Sequence, residues 1–480
     1  MTRARSKKNT AGYVMILVLV FGGIFVMLMG SLVGFILVQK RAQYASESKE
    51  RALQIAEAGL DYYKWFLAHY PDDLQDGTSV AGPYVHTYSD PEGGTIGQFS
   101  LDISGNAQCD IVNAVEITST GSDDVNPTYT RTVYGKYSRP SVAEYAYILN
   151  SNVWAGADRT ITGPYHSNGG IRMDGTNNSL VTSGVSSWLC TSSFGCSPDS
   201  TENGVFGAGP NSTLWKYPVP PVDFTGITVD LVNMKDIANA EGLYFNPFGG
   251  NPEQKGYHMI FKADGTVDVY KVLNTDWVWA YHSSDLSWHQ DYEIITNEDL
   301  MGNYAIPSDC GLIFASAKLW IEGVISQKVT VVAANVQNPG IDLGLILSGN
   351  ITYTAYDGSV GLTAIAEDYV NIPLLSPDDM VLNGIFIAQL GSFGRNHYTT
   401  SGSHDVPGAY DSYVKRNSLT INGSIVSNGR VGTKWTSGGV FVSGYDTRVN
   451  TYDRKLAIDP PPLTPYVSND YRFIEWLELK

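Results

Sequence analysis

Trp277, Trp279, Tyr281 and Trp288 fall close together, with His282 and His289 between and beside them. Exposed, aromatic faces at this density stack on sugar rings or grip a partner protein, so the four are the candidate ligand or partner contact. Buried, they would form a small core of their own, and the high average burial of Trp makes that the first expectation. Carboxylates are the other source of chemistry. Asp72-Asp73, Glu298-Asp299 and Asp378-Asp379 are adjacent pairs. Neighbours in a strand point to opposite faces, so none of these pairs converges for acid and base work. Asp174, Asn177 and Asn178 carry too little charge and the wrong spacing for a calcium loop. A glycine-rich phosphate loop, a zinc-binding helix motif and a nucleophile elbow are all missing from the sequence. The expectation is therefore no reaction, with no catalytic residue, cofactor or metal.

Cys190 and Cys196 enclose five residues of a Ser-rich loop, with no histidine near enough to complete a metal site. In an oxidising compartment that spacing reads as a small disulfide loop. The spacing of Cys109 and Cys310 settles nothing about their pairing.

The compartment follows from residues 13–38, a run of 26 positions without a charge, preceded by Arg3, Arg5, Lys7 and Lys8 and followed by Lys40 and Arg41. As a helix the run is about 39 Å long, against a hydrocarbon core of roughly 30 Å. It is long enough to span a membrane with some tilt, and the basic residues ahead of it place the N-terminus in the cytoplasm and the bulk outside. Nothing marks it as a cleaved secretory signal. About 440 residues follow it, enough for two or three structural units. A net charge of −17 with no basic stripe argues against nucleic acid as a partner. Only 16% of residues are charged while Gly numbers 49 and Tyr 30, a profile of turn-rich β structure.

Helix-forming sequence continues past Arg41 as far as Pro71. Leu53, Ala56, Leu60, Tyr63 and Leu67 alternate spacings of three and four and so make one packing stripe. A basic leader, a Gly12-Tyr13 junction, an unbroken apolar helix and then Gln54-Ile55-Ala56-Glu57-Ala58-Gly59-Leu60 resemble the N-terminus of type IV pilins, and specifically the PilX class of minor pilins. The resemblance covers about residues 3–70. It implies cleavage after Gly12 by a prepilin peptidase, and a helix that bundles with other pilin or pseudopilin subunits. Such cleavage puts Leu17 where typical pilins carry the glutamate that offsets a neighbour's amino group. That departure suits a rare or tip-located subunit, or a chain that is never processed.

Beyond the helix, residues 98–103, 114–119 and 129–134 alternate apolar with polar and predict a small antiparallel head over 71–140. The nonapeptides 161–169 and 421–429 agree at five of nine positions, and an aliphatic-x-Gly-x-apolar echo recurs at 321–325, 347–351 and 382–386. Recurrence of this kind predicts stacked rungs. The expected architecture is mainly β behind one long transmembrane α-helix. A leader at 1–12 and a helix at 13–70 precede the head, and an irregular right-handed parallel β-helix fills 141–455, with a β-sandwich as the alternative. An α/β excursion interrupts it at about 215–300, and a Pro-rich tail with a final strand closes the chain at 456–480. The function expected is a structural minor-pilin-like component of a type IV pilus or pseudopilus system, in contact with membrane lipid and other pilins. Its exterior would serve assembly, priming or adhesion to a surface polysaccharide or a host or substratum ligand. The alternative is a membrane-tethered β-helix that binds or cleaves carbohydrate.

Overall fold

The computed structural model describes residues 11–479 except 72, 110, 225–229, 339, 340, 342 and 469. The basic residues of the leader and Asp72 of the first carboxylate pair lie outside the described residues. The chain divides into two compact units. One holds the residues up to Ser104, Glu116–Lys136 and the chain from Glu475; the other holds Gly105–Val115 and Tyr137–Ile474.

The first unit is built on one helix, α1 (Ala11–His69). Its first half is apolar and exposed on every side, as Leu17, Phe25, Leu28 and Leu37 show, and it is long and apolar enough to cross a membrane. Its second half has one buried face, formed by Ala52, Ile55, Ala56, Leu60, Tyr63, Phe66 and Leu67. That face packs on a five-stranded sheet ordered β1 (Tyr84–Ser89), β2 (Thr95–Gln108), β3 (Ile111–Asp123), β4 (Thr130–Ser138) and then the last strand, Arg472–Leu479. β1 and β2 are antiparallel, with His86 opposite Phe99. The approach is close because both surfaces present small residues. A Cβ on Gly121 would stand 2.2 Å from the Ala52 carbonyl oxygen, and one on Gly97 would stand 2.7 Å from Cδ1 of Ile55. Polar ties fix the end of the helix: Tyr62 donates to Asp76 at 3.1 Å, and Tyr63 to the Asp73 carbonyl at 2.6 Å.

The second unit is mainly β, and its largest sheet is mixed. Parallel ladders dominate it. Leu312–Ala315, Lys328–Ala333, Gly361–Ala366, Asp379–Ala388 and Lys415–Ser427 pair in that order, each parallel to the next. Their apolar side chains, among them Val331, Ile365, Ile385 and Ile425, are buried in one continuous core. The two repeats lie in the same sheet. Ile421 pairs with Asn450 and Asn450 with Ile161, both in parallel. Gly423 and Gly163 both adopt positive φ, at 143° and 119°. At Gly423 a Cβ would also meet the Gly384 carbonyl oxygen at 1.8 Å, so no other residue fits that turn.

Strand order in this sheet does not follow chain order. Tyr147–Leu149 pairs in parallel with residues 425–427 of a much later strand, and Tyr165–Ser167 and Val181–Ser183 continue from it. The excursion is also more than a flanking insert. Its helix runs Leu231–Ala240, and its hairpin turns at Gly265 with Phe261 opposite Val267. The first strand of that hairpin, Gly256–Phe261, pairs in parallel with Lys318–Ile325 and so joins the parallel ladders. Thr266–His282 and Ser287–Ala305 then form a long antiparallel ribbon.

Two disulfides are present, Cys190 to Cys196 and Cys109 to Cys310. The second is a pairing that sequence spacing left open.

Candidate functional site

Strand alternation divides the long ribbon into two faces. Val278 and Ala280 turn inward and are buried with Tyr398, Val406 and Val414. Trp277, Trp279 and Tyr281 take the other face, with Trp288 across from Tyr281. These aromatics do not form a buried core. Trp277 is 42% exposed and none of the other three is fully buried. The reason is the period of two: the smaller aliphatic side chains occupy the inward positions, leaving the rings outside. The rings join others into a connected ridge. Trp288 stacks on His404 with centroids 4.8 Å apart, Trp279 meets His404 at 4.7 Å, and Tyr281 meets Trp435 at 5.8 Å.

On the inward side the ribbon brings charge to a cavity of about 310 Å³. Asp291 and Glu293 line it from one strand, two residues apart and therefore on one face. Asp291 accepts from His282 Nε2 at 2.8 Å and from Asn396 Nδ2 at 2.8 Å. Burial works against a charged His282 ring, but the bond to Asp291 and its charge outweigh it and raise the pKa. Glu293 is buried and fully engaged. It accepts from the Leu374 amide at 2.6 Å, from Tyr398 at 2.9 Å and from Asn371 at 3.3 Å. Burial, with the charge of Asp291 added, pushes its pKa up to about 7 against these bonds.

Three cations face the same space: Lys318, Arg395 and Arg430. Lys318 Nζ donates to the carbonyls of Tyr292 (2.7 Å) and Glu253 (3.2 Å) and lies 5.2 Å from the Trp320 ring centre; burial brings its pKa down to about 8. Arg395, 1% exposed, donates to the carbonyls of Tyr413 and Leu374 and lies over the rings of Tyr398 and Tyr445, while its Nε has no partner. Arg430 donates to the Ser193 carbonyl at 2.9 Å and lies 4.5 Å from the Phe194 ring centre. Ser193 and Phe194 sit inside the loop that Cys190 and Cys196 close, so that disulfide holds the platform beneath Arg430.

The remaining sequence candidates are dispersed. Gly12 and Tyr13 lie in the exposed first turns of α1. Ala56, Leu60, Tyr63 and Leu67 of the stripe face the sheet of their own unit, and Leu53 is half-buried at its margin. Of the carboxylate pairs, Glu298 bonds His258 at 3.0 Å, while Asp378 and Asp379 accept from Asn417. Asp174 is occupied by Trp154, Arg172 and the Ala208 amide. Sequence reasoning missed Asp291, Glu293, Lys318, Arg395 and Arg430. Only the Asp291-Tyr292-Glu293 alternation inside a strand carried a signal, since the cations come from segments far apart in the chain.

No protein-family model matches the sequence, and no curated protein matches it. Among solved structures, the crystal structure of the competence-associated pilin ComZ from Thermus thermophilus is similar over 90% of this chain and 97% of that chain, at 12% identity and a TM-score of 0.32. A likeness of that extent establishes neither a family nor a function for this chain.

Proposed function

We propose that the chain is a minor-pilin-like structural protein of the PilX class, held in a membrane by the first half of α1 and displaying its β-rich exterior outside. The observation that carries this reading is the division of α1. One helix continues without a break from an apolar segment exposed on every side into a segment whose small residues seat it on its own sheet. A plain tether needs no such continuity, because a flexible linker after the span would serve. The exposed half is what other subunits or lipid would cover. On this reading the chain catalyses no reaction; the most perturbed carboxylate, Glu293, has both oxygens engaged by structural donors. The exterior is read as an irregular right-handed parallel β-helix with rungs out of chain order. Its support is the parallel register through five successive strands, where a β-sandwich would pair antiparallel.

A photo-reactive side chain at Leu37 or Tyr44, both exposed on α1, tests the reading in membranes of cells that make pili. Crosslinks to the apolar N-terminal helices of other pilin-type subunits are expected. Crosslinks to lipid alone, together with surface display retained when residues 13–38 are replaced by an unrelated apolar helix, would leave only a tether.

A further inference from the structure

His258 holds both of its ring nitrogens against carboxylates. Nδ1 lies 3.0 Å from Glu298 and Nε2 lies 3.2 Å from Glu322, and the residue is only 8% exposed. The three residues come from three strands. His258 stands in Gly256–Phe261, Glu322 in the parallel strand Lys318–Ile325, and Glu298 in the return strand of the ribbon, Ser287–Ala305. A carboxylate can only accept, and a neutral imidazole has one N–H to give. Both contacts are therefore hydrogen bonds only when the ring is an imidazolium. The proton sits on the ring because imidazole is more basic than a carboxylate. Burial favours the neutral ring, but the bonds and charges of Glu322 and Glu298 outweigh it and raise the pKa above the ordinary 6.5.

The surroundings hold this arrangement and offer no substitute for the ring. Gly349 leaves the room that Glu322 fills, since a Cβ there would stand 1.8 Å from the carboxylate Oε2. On the ribbon's outgoing strand Tyr270 lies opposite His258, with ring centres 5.9 Å apart, and Asp268 beyond it is bonded to Lys262 and Asn303. Lys318 shares a face of its strand with Glu322 but is held by the carbonyls of Tyr292 and Glu253. Among the described residues no second cation pairs with Glu298 or Glu322. Loss of the proton turns a nitrogen lone pair toward one of these half-buried carboxylates and leaves that charge unpaired, which is unfavourable. We infer that His258 is a proton-operated tie: as an imidazolium it clamps the ribbon's return strand to the parallel sheet through Glu298 and Glu322, and as a neutral ring it releases one of them. The tie lies within the second unit and stands whether or not α1 assembles with other subunits. It steadies the base of the ribbon that carries Trp277, Trp279, Tyr281 and Trp288.

Because the folded pKa is raised, the tie contributes fully below pH about 6.5 and is lost as pH rises through the folded value. Two measurements on the full chain in detergent micelles test it. One is an NMR titration of the His258 ring, its signal identified by its loss in His258→Gln. The other is hydrogen exchange of residues 294–300 at about pH 6 and about pH 8.5, corrected for the base-catalysed intrinsic rate. Glu322→Gln is the informative variant, because its amide can donate to Nε2 while Nδ1–H donates to Glu298, so that a neutral ring satisfies both neighbours. In the natural chain the ring should titrate above its ordinary value, and in Glu322→Gln it should titrate lower. Protection should fall about tenfold more between the two pH values in the natural chain than in Glu322→Gln, which keeps His282, Glu293 and Lys318. A natural ring that titrates at or below its ordinary value, protection that ignores pH, or an equal fall in the two proteins would each overturn the inference.

Discussion

Gly59 lies so close to Ser119 that a Cβ added to the glycine would stand 2.3 Å from the serine Oγ. The same atom would meet Phe99 at 2.9 Å and Leu101 at 3.1 Å. The glycine of the Ala56-Glu57-Ala58-Gly59 segment is thus required by the seating of α1 on its own sheet, whatever else the helix touches.

Gly59→Ala should consequently destabilise the first unit. Overpacking costs typically about 1–3 kcal/mol, against a gain of up to about 1 kcal/mol in helix propensity. Ser119 is buried with no hydrogen-bond partner for its hydroxyl, so Ser119→Gly removes the nearest obstacle without breaking a bond. The double variant should recover much of the loss, as read from denaturant midpoints in a double-mutant cycle. Additive losses would show that the contact does not set the helix position.

The stripe also shows how far the sequence could be read. Period and spacing placed α1 and its packing face, because apolar side chains at alternating three and four must be covered by something. They could not say by what, and the cover is the helix's own sheet. Scrambling residues 56–60 would therefore damage the fold of a tether and of an assembling subunit alike, and cannot tell them apart. The glycines of the two repeats, Gly163 and Gly423, were legible because one backbone conformation admits few residues. The order of the parallel strands was not, since residues 425–427 and Tyr147–Leu149 pair across the chain without any local signal. The outward aromatics were misread for a similar reason: burial averages favour Trp inside, but in this strand Val278 and Ala280 hold the inward positions.

Parallel pairing on both sides predicts how damage spreads. Ile421 is 2% exposed, with Leu382 beside it in one ladder and Asn450 in the other. Ile421→Ala should cost about 2–5 kcal/mol. Hydrogen exchange should quicken in Asp379–Ala388 and in Val440–Thr451 as well as in the strand that carries the change. Faster exchange confined to residues near 421 would contradict mutual burial of the paired strands.

The disulfides should differ in what they contribute. Cys109 and Cys310 are 201 residues apart, Cys190 and Cys196 only six. Loop-closure entropy alone gives about 5 kcal/mol for the first and about 2 kcal/mol for the second. Replacing Cys109 and Cys310 together by Ser should lower the thermal midpoint more than replacing the other pair. An equal loss from the two replacements would show that loop length does not set what each disulfide contributes.

Glu293 predicts a pH dependence of stability. Its carboxyl has a pKa of about 7 in the folded chain against an ordinary value of 4.5, chiefly because burial disfavours the charged form. Between those values the folded state holds a proton that the unfolded state releases, so stability falls as pH rises. The contribution is fully present below pH about 4.5 and is lost by about 7, a change on the order of 3 kcal/mol if nothing relaxes. Lys318 does not confuse the window. Its pKa is lowered to about 8, so its own effect on stability falls between pH about 8 and its ordinary value of 10.5. Glu293→Gln keeps an acceptor for the Leu374 amide and for Tyr398, and rotation of the Asn371 amide restores the remaining bond. Denaturant midpoints measured from pH 4.5 to 7 should decline more steeply in the natural chain than in Glu293→Gln, which keeps every other titrating group, His282 and Glu144 among them. Equal slopes in the two proteins would mean that the carboxylate is already charged at the low end, and that its donors outweigh its burial.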